Sequence, residues 1–166
     1  MSNTWWKRKS KKVLMKSKSE ENVKKQLLLD NIAYTYETLE LWYPKKVTLP
    51  VVQGKIGLNP DDWERAKGPF HVLHKYTPDF IIEKRDGGTM VVEVKGQFAG
   101  PDRQKIRQVK KYYIDNGMDF RMVFDRSKSK FSKDNAKTYG EFCQQLGIPY
   151  ADKAIPQEWL EEMRRK

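Results

Sequence analysis

Cysteine is almost missing from this chain. Cys143 stands alone, which excludes an intrachain disulfide and, in practice, a cysteine-based zinc site. No run of about 18 apolar residues occurs, so no transmembrane span is expected. The first eighteen residues contain no acid and no apolar core segment, so this basic start does not read as a signal peptide. No internal repeat is visible. What the chain has in excess is positive charge: 33 Lys and Arg against 22 Asp and Glu, a formal net charge of +11. That balance calls for a polyanionic partner, nucleic acid or an anionic membrane surface. With 166 residues, 38% apolar and 12% aromatic, there is material for one compact domain. The composition describes a soluble, intracellular, basic protein.

The charge is uneven along the chain. Residues 1–18 carry Lys7, Arg8, Lys9, Lys11, Lys12, Lys16 and Lys18. This stretch reads as a basic arm, too polar to bury and too self-repelling to pack. Trp5 and Trp6 beside it are either a loose sticky end or a stacking surface for DNA bases. An anchor on a membrane surface is disfavoured, because no amphipathic stretch of useful length follows.

Residues 19–166 read as one mixed α/β domain with a single sheet. A helix is expected over 20–29, capped by Ser19, with Val23, Leu27 and Leu28 at helical spacing. Residues 33–43 alternate as a strand that Pro44 ends. Residues 44–75 form a bridge: 45–53 look extended, and Asn59-Pro60 starts a short inserted helix to about Lys67. Two apolar runs, 79–84 and 89–95, flank Arg85-Asp86-Gly87-Gly88, a hairpin signal. A helix over 101–116, a buried strand over 119–124, a helix over 138–146 stopped by Gly147, and a last helix over 156–164 complete the chain.

The chemistry sits on the hairpin. Asp79 opens one strand, and Glu93 and Lys95 lie on its partner, on one face by alternation, with Val94 on the other. Two carboxylates and an ammonium thus meet at the end of an apolar hairpin, where burial is costly unless they pair or bind a metal. Asp79 and Glu93 offer hard oxygen ligands for Mg²⁺, with Mn²⁺ as a substitute, and the carbonyl of Val94 is an additional candidate ligand. A metal there would acidify water and offset charge on a scissile phosphate, while Lys95 would orient that water and stabilise developing negative charge. The competing reading of the same residues is a surface salt bridge.

Several blocks carry a resemblance to a known family: Glu20-Glu21-Asn22-Val23-Lys24-Lys25-Gln26-Leu27, Tyr76-Thr77-Pro78-Asp79-Phe80, Val92-Glu93-Val94-Lys95-Gly96, Asp102-Arg103, Tyr139-Gly140-Glu141-Phe142-Cys143, and the run from Ala151 to Trp159. In these blocks, over roughly residues 19–50 and 76–162, the chain resembles the phage endonuclease I family, the Holliday-junction resolvases of podophages within the PD-(D/E)xK nuclease superfamily. The resemblance implies a restriction-endonuclease-like mixed sheet flanked by helices, in a domain-swapped homodimer joined by the bridge. It makes Glu20 the acidic residue that completes the metal site, and Asp79, Glu93 and Lys95 the remaining catalytic positions. Glu20 would then come from one chain and the other three from its partner. The implied activity is Mg²⁺-dependent paired nicking of four-way junctions and other branched DNA, leaving 5′-phosphate and 3′-hydroxyl ends. Residues 51–75 depart from the pattern, being longer than the family's usual connection. The inserted helix there is either an added clamp or padding.

Basic residues flank the proposed site. Arg103, Lys105, Arg107, Lys110 and Lys111 stud one helix, and Arg126, Lys128, Lys130, Lys133 and Lys137 follow the third apolar strand. Together with the arm they read as phosphate tracks, which bind tightly, salt-sensitively and without a base code. His71 and His74 precede the Tyr76 block, and the carboxylate site needs neither. Cys143, Tyr139 and Trp159 read as core, and Trp42 and Tyr43 as interface packing. Two other functions compete: a sequence-specific nicking nuclease on the same fold, and a non-catalytic junction or duplex binder. A pure binder has no reason to place acids where phosphates go.

Overall fold

The computed structural model describes residues 14–47 and 70–163. In chain order they form α1 (Lys18–Leu29), β1 (Tyr34–Tyr36), β2 (Leu41–Val47), β3 (Phe70–Tyr76), β4 (Phe80–Glu83), β5 (Thr89–Lys95), α2 (Gly100–Tyr112), β6 (Asp119–Phe124), α3 (Tyr139–Leu146), β7 (Tyr150–Asp152) and α4 (Gln157–Met163). A five-stranded sheet runs in the order β1-β4-β5-β6-β7, and β2 and β3 form a separate two-stranded sheet. The pairs β1–β4 and β4–β5 are antiparallel, whereas β5–β6 and β6–β7 are parallel. Parallel neighbours need crossover connections, and α2 and α3 supply them.

Alternation along the central strands divides the core in two. Val91 of β5 and Phe120, Met122 and Phe124 of β6 pack with Ile106 and Val109 of α2 and Phe142 and Cys143 of α3. Met90, Val92 and Val94 of β5 pack on the other face with Val23 and Leu27 of α1 and Trp159 and Leu160 of α4. The sheet is therefore covered on both faces, which is why β5 and β6 read as near-continuous apolar runs. Burial raises the Cys143 thiol to about 12, which fits a core residue rather than a nucleophile.

Local signals set the helix ends. Ser17 accepts from the Glu20 amide, so α1 starts two residues earlier than a Ser19 cap predicts. Ser19 instead donates from Oγ to Asp125 Oδ1 at 2.5 Å. Thr138 and Glu141 form a reciprocal capping box on α3, and Gly147 closes that helix in the left-handed region at φ 66°. Thr138→Ala is expected to cost about 1 kcal/mol, read as a shift of the urea midpoint with an unchanged slope.

Three expectations are corrected. The strand over 33–43 is two strands, because Glu37 sits at φ 50° and donates its amide to the Asp79 carbonyl at 2.8 Å, which breaks the run. Pro44 does not end a strand. It lies inside β2 opposite Leu73, in a two-stranded sheet where the missing N–H faces no second neighbour. The single sheet is accordingly two sheets, with β3 and β7 added to the predicted strands. Of the extended bridge, residues 45–47 belong to β2. Its remainder to Gln53, the inserted helix over 59–67 and the basic arm to residue 13 lie outside the described residues.

Candidate active site

The β4–β5 register aligns Phe80 with Val92, so the residue before β4, Asp79, stands level with Glu93. Each acid is held by the other's strand. The Asp79 amide donates to Glu93 Oε2 at 3.2 Å, and the Val94 amide donates to Asp79 Oδ2 at 2.8 Å. Lys95 Nζ pairs with Glu93 Oε1 at 2.8 Å. Asp79 is 8% exposed and Glu93 1%.

Burial dominates the electrostatics. It pushes the Asp79 carboxyl up to about 8, helped by the charge of Glu93 and then of Glu20, against the Val94 amide bond. Burial also raises Glu93, and the Lys95 ion pair only partly offsets it. For Lys95, burial works to lower the ammonium, but Glu93, Asp102 and Asp79 hold it above its ordinary value. Tyr76 is buried against the same pair. Burial, then Glu93, lifts its phenol well above the usual range, yet its hydroxyl makes no well-formed hydrogen bond. The Tyr76 hydroxyl is thus buried beside the Glu93 carboxylate, short of good hydrogen-bond geometry.

Glu20 stands at the start of α1. Its carboxylate accepts from Ser17 Oγ at 2.8 Å, from the Lys16 amide at 3.1 Å and from the Tyr36 hydroxyl. Burial, reinforced by Glu20, raises the Tyr36 phenol. Glu20 acts on Asp79 through its charge. The resemblance places Glu20 and the other three residues on different chains. In the structure α1 packs on the sheet of its own chain, through Val23 and Leu27 against Phe80 and Val92. Within this one chain α1 thus sets the charge of Glu20 within reach of Asp79, and β3 returns antiparallel to β2.

A divalent cation fits the donor chemistry. Two buried carboxylates with Glu20 nearby face one ammonium, which leaves negative charge that the burial penalises. The donors are oxygens, as Mg²⁺ prefers. Among the described residues no three acidic, imidazole or thiol side chains converge closely enough to enclose a cation as they stand. The converging set is the pair Asp79 and Glu93, and Glu20 is occupied by its own helix start. Val94 has its side chain in the core and its amide on Asp79.

Of the predicted DNA contacts, Lys7, Arg8, Lys9, Lys11 and Lys12 lie outside the described residues. Arg103 lies over Phe131 at 4.2 Å and Arg107 over Phe142 at 5.2 Å, both cation–π contacts that pin α2 on the aromatic cluster. Lys105 pairs with Asp102 at 3.6 Å. Lys128 and Lys130 follow β6, and Lys130 bridges to Thr138. His74 stacks on Tyr43 at 6.2 Å, Tyr43 is buried, and Trp42 is half exposed. Sequence reasoning assigned no role to Tyr36 or Tyr76, since a tyrosine beside an acid carries no spacing signal of its own.

The phage endonuclease I family description matches residues 63–166, a span that contains Asp79, Glu93 and Lys95 and leaves out Glu20. Over 108 residues the chain is 35% identical to Endonuclease I of Escherichia phage T7, covering 63% of this chain and 68% of that one. Over 108 residues it is 32% identical to Endodeoxyribonuclease 1 of Enterobacteria phage T3, covering 63% and 67%.

Proposed function

The chain belongs to the phage endonuclease I family, and on that premise we propose that it is a metal-dependent DNA endonuclease that resolves four-way junctions. The observation that carries this reading is the buried pair Asp79 and Glu93, tied to Lys95 at the end of the β4–β5 hairpin. The same three residues support the PD-(D/E)xK reading of the mixed sheet that the resemblance implies.

Asp79 and Glu93, with the Val94 carbonyl, would hold Mg²⁺ or Mn²⁺, which supplies charge neutralisation at the scissile phosphate and a more acidic water. Lys95, fixed by Glu93, presents an ammonium that orients a water and stabilises charge growing on the phosphate oxygens. Glu93 therefore has two tasks, as oxygen donor and as the group that aims Lys95. Glu20 adds negative charge beside Asp79 and completes the acidic set from α1. Hydrolysis leaves 5′-phosphate ends. Paired nicks across a pseudo-symmetric junction call for two sites, which a homodimer provides. The basic residues hold the backbone by charge and leave base sequence unread. The enzyme acts in the host cytoplasm, where branched phage DNA is found.

The test compares a synthetic four-way junction with linear duplex of the same sequence in Mg²⁺. Cutting confined to the junction is expected. Equal cutting of the duplex at one sequence would replace the reading with a sequence-specific nicking enzyme, and tight junction binding without cutting would replace it with a binding protein.

Tyr76→Phe tests the buried hydroxyl beside Glu93 as a positioning group for that carboxylate. Single-turnover cleavage is expected to slow about tenfold, about 1.4 kcal/mol of positioning lost with the hydroxyl's polar contact to Glu93, with DNA affinity unchanged. A purely structural role would lower the melting temperature and leave the rate of the folded protein intact.

A further inference from the structure

The carboxyl ends of β5, β6 and β7 form a row. Lys95 is in register with Phe124, and Phe124 with Asp152. The chain after each strand is docked on its neighbour: the Asp125 amide donates to the Lys95 carbonyl at 3.1 Å, and the Lys153 amide to the Phe124 carbonyl at 2.6 Å. Beside this row opens a cleft of about 490 Å³, lined by Asp125, Arg126, Lys128, Ser129, Asp152 and Lys153. Ligands of open α/β sheets bind outside the carboxyl ends of the strands.

The acids of the cleft are occupied and its cations are not. Asp152 accepts from the Ser127 amide at 2.6 Å and from Ser127 Oγ at 2.9 Å, using both oxygens. Asp125 accepts from Ser19 Oγ, on the helix that carries Glu20. It also sits where a side chain on Gly96 would collide, since a Cβ there would lie 2.9 Å from Asp125 Oδ2. Arg126, Lys128 and Lys153 are exposed, and among the described residues none of them forms an ion pair. Lys153 is held at φ 65°, a left-handed conformation that a non-glycine residue adopts at a cost. Its amide bond to Phe124 fixes the turn that sets this side chain beside the cleft.

We propose that this cleft is a phosphate-binding subsite, in which Arg126, Lys128 and Lys153 hold the DNA backbone beside the phosphodiester that is cut. The inference rests on the endonuclease reading and specifies where the substrate strand runs. Two strand spacings of about 4.8 Å put the cleft roughly 10 Å from Lys95. Phosphates of one strand rise about 3.4 Å each along the duplex axis and lie roughly twice that far apart along the winding backbone. The subsite therefore grips a phosphate about one or two positions from the cut, and the scissile strand runs across the ends of β5, β6 and β7 in that order. Asp152 is a positioning residue, holding the 125–129 loop through Ser127.

The test uses the full chain with all three cations changed, Arg126→Gln, Lys128→Gln and Lys153→Gln. Binding to a synthetic four-way junction is measured in EDTA at several salt concentrations. Affinity is expected to fall about tenfold near physiological salt, and the slope of log K against log salt to shrink by about 0.9 for each phosphate that is no longer neutralised. Single methylphosphonates are then placed at successive positions around the cut. One of them, about one or two phosphates away, should weaken the wild type and leave the triple variant unaffected, as expected when variant and probe remove the same interaction. Lys153→Arg should keep the wild-type slope. A triple variant with the wild-type salt slope, or one that senses every methylphosphonate as the wild type does, overturns the subsite and leaves the endonuclease standing. A wild type that neither binds nor cuts the junction overturns the endonuclease reading, and the subsite with it.

Discussion

Glu93→Gln is expected to slow DNA cleavage by at least about 10³-fold at saturating Mg²⁺, a loss of about 4 kcal/mol of transition-state stabilisation. The replacement keeps the shape of a side chain that is only 1% exposed. It removes the negative charge that pairs with Lys95 at 2.8 Å and the oxygen set that Asp79 shares. Both tasks of Glu93 fail together, so the loss falls on the chemical step. DNA binding should be retained or tighter, because a buried negative charge has been taken from a basic surface. The metal-free variant should also be more stable than the wild type, since Asp79 no longer faces a second carboxylate. Such a gain on removing a charged group marks a site kept for function at the expense of stability. Cleavage within about tenfold of the wild type would take Glu93 out of the active site.

The second large effect is on stability against pH. In the folded protein the Asp79 carboxyl lies at about 8, against 3.8 in the unfolded chain. Between these values the folded state keeps a proton that the unfolded state has released. Stability is therefore fully present below the unfolded pKa and declines as pH rises towards 8, by an amount of the order of a few kcal/mol. Paired acids act in the opposite sense at the acid end: Asp119 and Glu162, bound by Arg121, are held below their ordinary values and lose that support as pH falls. The window above the range of those paired acids is thus about pH 5.5 to 8.5, and Glu93, raised by the same burial, acts in it in the same sense as Asp79. In EDTA the melting temperature should fall across it by roughly 5–10 °C. A cation must displace the Asp79 proton, so Mg²⁺ should raise the melting temperature more at pH 8.5 than at pH 6. Asp79→Asn should flatten both dependences. A wild type without slope, or an Asp79→Asn variant with the wild-type slope, contradicts the assignment of the proton to Asp79.

The parts of the fold that were legible are those where one physical signal dominates. The predicted runs 89–95 and 119–124 coincide with β5 and β6, because strands buried on both faces leave little ambiguity in an apolar run. Gly117 and Gly147 close their helical segments in the left-handed region, as expected from glycine just past a helix. β3 went unread because His71, Val72 and Leu73 are all exposed, so no alternation survives in the sequence. Only three residues long, β7 carries no period at all. The break at Glu37 depends on a hydrogen bond to Asp79, forty-two positions on, which no local pattern announces.

The candidate site divides in the same way. Alternation alone put Glu93 and Lys95 together, and the hairpin register brought Asp79 level with them. Tyr36 and Tyr76 became visible only in three dimensions, since their meaning lies in which carboxylates they face. Which chain supplies Glu20 is a matter of topology and not of motif. The resemblance points to a partner, and a swapped α1 would make the same Val23 and Leu27 contacts to the sheet that α1 makes within this chain. The cleft at Lys153 likewise depends on β7, a strand the sequence did not disclose.

The most direct measurement is cleavage of a labelled four-way junction by EDTA-treated protein as Mg²⁺ is added back. Metal-dependent phosphodiester hydrolysis at Asp79, Glu93 and Lys95 predicts no cutting in EDTA, restoration on titration with Mg²⁺ or Mn²⁺, 5′-phosphate ends, and none of this in Glu93→Gln. Cutting that persists in EDTA, or a protein that binds the junction and leaves it intact at every Mg²⁺ and Mn²⁺ concentration, would contradict it.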